Sequence, residues 1–238
     1  CPAAKSLTIR FVRTCMSVSP FPDPSVKSEP TRWEYGVSLC LLDKIPMEGR
    51  MIDGRVGYFT NKVRNYDNAV YDKGECEFIS RWKLVPHREQ LEAYLGGDLV
   101  EPIKPIVFYI DKQIPTWLYP YVKRAVEAWQ PAFERAGFKN AILARPEPTY
   151  AEDSVFSVDN ARYAYISYKT SPLKNAYGPS SVDPRSGEIL CSHIGIFNSI
   201  SDLVQELYFC QAGAVDSLAR RIVLPDTLLG KLIQYVVC

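Results

Sequence analysis

An α+β fold is predicted for this chain by three observations. The first ~95 residues read as mostly β, with two segments in which apolar and polar residues alternate at the period of half-buried strands. A continuous apolar run at 104–111 is then followed by a long amphipathic stretch of helical period. Further strands and two more helices follow without an internal repeat, which favours segregated layers over a regular βαβ winding. The 238 residues are 47% apolar, enough for a sizeable core. A formal charge of +1, from 28 basic and 27 acidic side chains, argues against nucleic acid or an anionic membrane as a partner through bulk electrostatics. No apolar run reaches the roughly 20 residues that span a bilayer.

Ser6 to Arg13 alternates cleanly, with Leu7, Ile9 and Phe11 on one side and Thr8 and Arg10 on the other, and predicts a half-buried strand. Pro20 to Pro24, with Ser28-Glu-Pro30 after it, predicts a proline-punctuated loop. A second alternating strand places Trp33, Tyr35, Val37, Leu39 and Leu41 on one face. Gly54 to Thr60 and Cys76 to Leu84 read as further strands around the polar turn Asn65 to Asn68. Residues 86–96 fit a short surface helix ended at Gly96-Gly97.

The run Lys104 to Asp111 reads as a strand covered on both faces. The following helix carries Trp117, Tyr121, Val122, Ala125, Val126, Trp129 and Phe133 on one stripe, predicted to be core, and Gly137 suits its end. Pro131 should kink it or reset its last turns. Strands are expected at 140–144, 162–168 and 188–197, and a helix over about 199–212. Asp183-Pro-Arg-Ser-Gly187 supplies turn chemistry before the third of these strands.

Pro225 to Cys238 reads as the opening of a buried helix. Pro225 suits a first helical position and Asp226 the positive end of the helix dipole. Leu228, Leu229, Leu232, Ile233, Val236 and Val237 give one broad apolar face. No Gly or Pro stops it, so the helix is expected to run on past Cys238. Its apolar face is then partly uncovered here, a surface for self-association.

The seven cysteines are scattered, without Cys-x-x-Cys, and are expected mostly as small buried hydrophobes. Cys1 fits either the acylated first residue of a bacterial lipoprotein or a simple boundary. Cys191 and His193 share a strand face and could be two ligands of a metal site, but no second ligand pair stands at recognisable spacing. A hydrogen-bonded strand histidine is the expectation for His193. Asp183, Glu188, Asp202 and Glu206 lie in one region and are expected on solvated faces rather than as an acid/base pair. There is no P-loop, dinucleotide fingerprint or nucleophile elbow.

Several ordered segments carry a resemblance. They are Arg55 to Phe59, Phe78 to Leu84, Lys104 to Asp111, Ala125 to Ala141, Asn175 to Pro179, Asp183 to Ile189, Ser192 to Gly195, Gln211 to Asp216 and Gly230 to Val237. Taken in order, they resemble the large bacterial zinc-dependent metallopeptidases related to the metzincins. The resemblance implies a zincin-like mixed sheet with a long packing helix and the start of the active-site helix over residues 99–238, after a β-rich region over 1–98. In that family the last helix runs into His-Glu-x-x-His-x-x-Gly, whose histidines bind Zn²⁺ and whose glutamate activates the metal-bound water. The chain to Cys238 has none of these residues. Zinc is therefore expected in the full-length protein, and neither a metal ligand nor a catalytic residue in this chain, which alone should be inactive.

The family also implies an antiparallel edge strand that binds extended substrate through its backbone. That role is expected for the strand at 188–196, with Leu190, Cys191, Ser192, His193 and Ile194 lining a peptide cleft and Tyr177 and Gly178 near its rim. The implied function is part of a zinc-dependent endopeptidase of the bacterial periplasm, outer membrane or exterior, acting on peptide or protein. A non-catalytic pseudopeptidase or peptide-binding module at the cell surface is the alternative, and a structural domain of a cell-surface protein a third.

Overall fold

The first two alternating segments pair into one long ribbon. In the computed structural model, β1 (Ser6–Met16) and β2 (Pro30–Cys40) run antiparallel in full register, Ser6 opposite Cys40 and Met16 opposite Pro30. The structure describes residues 6–16, 30–64, 66, 74–221 and 223–237. Cys1, Cys238, the loop expected at 20–24 and most of the 65–68 turn lie outside them. The ribbon differs from expectation in one respect: its apolar side faces solvent, and its polar side meets the rest of the chain.

A second hairpin follows. β3 (Thr60–Arg64) and β4 (Glu75–Ile79) pair antiparallel, tied by Thr60 Oγ1 donating to Glu77 at 2.5 Å and by Arg64 donating to Glu75 at 2.6 Å. Of the strand expected at 54–60, residues 54–56 instead form a turn and only Thr60 enters β3. The Asp53 carboxylate accepts from the Arg55 backbone and guanidinium, and Val56 N–H donates back to the Asp53 carbonyl. A side chain that satisfies its neighbours' backbone in this way competes with a ladder. A 3₁₀ turn (Arg88–Gln90) and α1 (Leu91–Leu95) give the short surface helix.

The main sheet has the order β6-β5-β7-β10-β8, with β9 also on β10. β5 (Ile106–Ile110), β6 (Ile142–Pro146), β7 (Ala164–Lys169) and β10 (Glu188–Phe197) run parallel to one another. β8 (Ala176–Tyr177) and β9 (Ser180–Asp183) pair antiparallel with β10. This mixed sheet with its helices is the predicted α+β class. One face carries the core, in which Ile106, Phe108, Ile110, Ile166 and Ile196 meet residues of the helices.

The long helix is two. α2 (Tyr119–Glu127) and α3 (Gln130–Arg135) are separated at Ala128-Trp129, and Pro131 stands in the first turn of α3, where its missing N–H costs nothing. Val122, Ala125 and Val126 are buried as expected. Trp129, expected in the core, is 48% exposed because it sits at the break, where the stripe changes direction. α4 (Ile200–Ala212) and α5 (Asp226–Val237) complete the layer, α5 packing on α2 and α4. On α5, Leu229, Leu232 and Ile233 join the core while Val236 is exposed, so the predicted face is narrower than drawn from the sequence.

Gly230 sets the approach of α5 to α2. A Cβ there would lie 2.5 Å from two ring carbons of Tyr121. Gly230→Ala gains roughly 1 kcal/mol of helix propensity but should lose about 1–3 kcal/mol to overpacking. Thermal melts should therefore show a net destabilisation; a raised melting temperature would refute the close approach.

Candidate functional site

The structure places the predicted site residues on two strands and the turn between them. Tyr177 ends β8, Gly178 begins the link to β9, and Leu190 to Ile194 form the middle of β10. β10 is not the edge strand that the sequence reading made it. His193 to Phe197 pair with β7 on one side, and Gly195 and Ile196 with β8 on the other. Glu188, Ile189, Cys191 and Ser192 pair with β9, the register shifting at Leu190, while Arg81 adds a short parallel bridge at Glu188. Arg81 N–H donates to the Gly187 carbonyl at 3.0 Å and Ile189 N–H to the Arg81 carbonyl at 2.9 Å. Cys191 and Ser192 are buried, and burial pushes the Cys191 thiol up, so it is a poor thiolate nucleophile.

The antiparallel edge lies one strand further out. Ala176 to Asp183 runs beside β10 with a break at Gly178-Pro179, and its outer side has no strand partner among the described residues. Carbonyls of Asn175 and Pro179 accept from Phe197 and His193, so residues 175, 177 and 179 face β10. By the alternation of an antiparallel ladder, the backbone groups of Gly178 and Ser180 then point outward. These outward residues were the part the sequence reading missed, and Gly178 is the one site residue it shares with them.

The turn before β10 holds this edge in register. Asp183 is 2% exposed rather than solvated; it accepts from the Arg185 backbone at 2.9 Å and from its guanidinium at 2.7 Å. The Arg185 hydrogen bond holds the Asp183 carboxyl below its ordinary range. Gly187 has φ +74°, and a Cβ there would lie 2.3 Å from the Ile79 carbonyl, so this corner needs glycine. Of the other carboxylates, Glu188 faces Lys83 at 3.9 Å and Glu206 pairs with Lys174. They are not brought together as an acid/base pair.

On the sheet face away from the helices lies a cavity of about 460 Å³. Tyr177 and His193 reach it, together with Asp111, Glu147, Ser167 and Lys169. Asp111 is 7% exposed and bridges two strand ends, accepting from Gln113 N–H at 2.8 Å and Tyr168 N–H at 3.0 Å. Tyr165 donates to Glu147, Lys169 to the Tyr177 hydroxyl, and His193 Nε2 lies 3.1 Å from the Tyr163 carbonyl. His193 is thus the hydrogen-bonded strand histidine expected. Beside the cavity Tyr109, Phe156 and Tyr163 stack edge to face.

Among the described residues no group of three or more His, Cys, Asp or Glu could hold a metal ion. None of the helices formed by them is long and apolar enough to cross a membrane. The five described cysteines are free; only Cys191 is buried, while Cys15 and Cys210 are exposed, against the expectation that most would be core. Residues 2–87 match the model of a family described as a domain of unknown function (DUF5117). No curated protein and no solved structure matches the chain.

Burial, and then the hydrogen bond to Asp153, push the Tyr163 hydroxyl up to about 12 from 10.0. The folded state holds this proton more tightly than the unfolded chain. Its contribution is complete below pH 10.0 and fades as pH rises through about 12. Melting temperature should fall across that window, and Tyr163→Phe should flatten the fall. Parallel pH curves for the two proteins would contradict this assignment.

Proposed function

We propose that the chain is part of a zinc-dependent endopeptidase, with extended substrate adding as a further strand to the outer edge of Ala176–Asp183. The observation that carries the reading is an open antiparallel edge held on an otherwise parallel sheet, the arrangement that the resembled family uses to align substrate. Main-chain groups at Gly178 and Ser180 supply affinity, and side chains on alternate faces supply selectivity. β10, with Leu190 to Ile194, acts as the support of that edge rather than as the binding strand. A second support is α5. It packs beneath the sheet on α2 and α4, and in the resembled family the helix of this order leads into the zinc-binding residues. In this reading the residues described here align the peptide, with the metal ligands and general base supplied by sequence following α5. The division into a β-rich part over 1–98 and a zincin-like part over 99–238 belongs to the same proposal.

The test is to read the native gene past the codon for Cys238, express the extended protein, and measure bound zinc and hydrolysis of an unstructured protein such as casein. A His-Glu-x-x-His continuation, about one zinc per chain and hydrolysis lost on chelation are expected. A frame without those ligands, or with no zinc bound, sinks the peptidase reading. In the same extended protein Ser180→Pro removes an outward N–H without touching a ladder bond. It should lower kcat/KM about tenfold or more, in keeping with a lost backbone contact in a β-addition site, while zinc content is unchanged. Unchanged kcat/KM would place the substrate elsewhere.

A further inference from the structure

We propose that the outer face of the β1–β2 ribbon is the interface of a homodimer, in which two copies stack these faces against each other. On β1 the face is Leu7, Ile9 and Phe11; opposite them on β2 stand Leu39, Val37 and Tyr35. Trp33 extends the stripe by one pair. The exposures of these seven residues run from 39% at Ile9 to 61% at Trp33, although Phe11 and Tyr35 already stack on each other with ring centroids 5.4 Å apart.

The ribbon meets the rest of the chain with its other side. Ser6 donates to Asn160 at 3.0 Å, Arg10 to the Asp159 carboxylate at 3.0 Å, and Ser38 to the Asp159 carbonyl. Side chains alternate across a strand, so a ribbon anchored by Ser6, Arg10 and Ser38 must turn Leu7, Ile9 and Phe11 outward. A two-stranded ribbon is at best marginally stable in water without a partner for its apolar face.

The size of the patch chooses the partner. A fully exposed aromatic side chain offers ~200 Å² and an aliphatic one less, so three aromatic and four aliphatic side chains about half exposed present on the order of 600 Å². That stands at the top of the roughly 300–600 Å² range for the largest patch of a monomer and is a large part of the ~800 Å² that each partner gives to a standard interface. The face is also self-compatible in charge. Its one charged residue, Arg13, pairs with Trp33 towards one end of the stripe. A two-fold axis crossing the strands sends the two Arg13 side chains to opposite ends, so no like charges meet. The last helix, where the sequence suggested self-association, offers less: its Leu229, Leu232 and Ile233 are already packed in the core.

Sedimentation equilibrium of the 238-residue chain should show a monomer–dimer exchange in the micromolar range. The triple variant Ile9→Thr, Phe11→Thr, Val37→Thr keeps strand-favouring residues while removing apolar area, and should weaken the dimer at least 100-fold. Tyr235→Lys on α5 should leave it unchanged. Should the triple variant fail to fold, acrylamide quenching of the wild-type chain still decides. Quenching should increase on dilution, and Trp33→Phe should abolish that increase. A chain that stays monomeric at all concentrations overturns the proposal. So does a dimer broken by Tyr235→Lys, or one whose dissociation leaves quenching unchanged.

Discussion

The geometry of the site depends on one constraint, that β10 has partners on both sides. β7 lies along it in parallel on one side, β8 and β9 antiparallel on the other, with Arg81 bridging near its start. Backbone groups already paired in a sheet interior are closed to a ligand, which leaves β10 little to offer outside the register shift at Leu190. What it offers is position. Gly195 lacks a side chain where the Tyr177 ring lies 2.6 Å from an ideal Cβ, and that absence lets the outer strand close over the sheet. Any availability for a peptide is thereby transferred from β10 to the strand hanging from it.

Residues 43–48 and 81–83 hold the same corner from outside the sheet. Arg185 donates to the Asp43 carbonyl at 2.8 Å, and Arg81 to the Glu48 carbonyl at 2.5 Å. Lys83 faces both Asp43 and Glu188 at 3.9 Å. Exposed ion pairs of this kind are each worth little. The backbone bonds of Arg81 and the glycine-only corner at Gly187 fix the arrangement more firmly, because moving either leaves buried amide groups unpaired. The portion that matches DUF5117 thus reaches into the support of the candidate edge.

Elements with long periodic signals were legible in the sequence. β10 has the bounds expected, α4 and α5 lie where their apolar repeats put them, and Pro131 does reset the long helix. The edge itself was not. β8 has two residues and β9 four, too short for an alternating pattern to rise above chance, so the longer neighbour took the role. The turn at 53–56 was misread for a related reason, since Val56 and Tyr58 stand two apart, as on one face of a strand. The carboxylate of Asp53 captures the local N–H groups first. Asp111 and Glu147 carry no motif; they reach one cavity only because β5 and β6 end side by side.

The ribbon shows what alternation contains and what it omits. Period two states which residues share a face, and the pairing of Leu7 with Leu39 and Ile9 with Val37 agrees with it. It does not state which face looks inward. That is decided by Asp159 and Asn160, 121 to 154 positions along the chain, which bond Arg10, Ser38 and Ser6. Apolar burial would ordinarily outweigh a few exposed polar contacts, at about 25 cal/mol per Å² against a fraction of a kcal/mol for a surface ion pair. An orientation that keeps the polar contacts and leaves the apolar stripe in water is therefore consistent only if something apolar covers the stripe. The energetics of the ribbon and the case for an interface are the same statement.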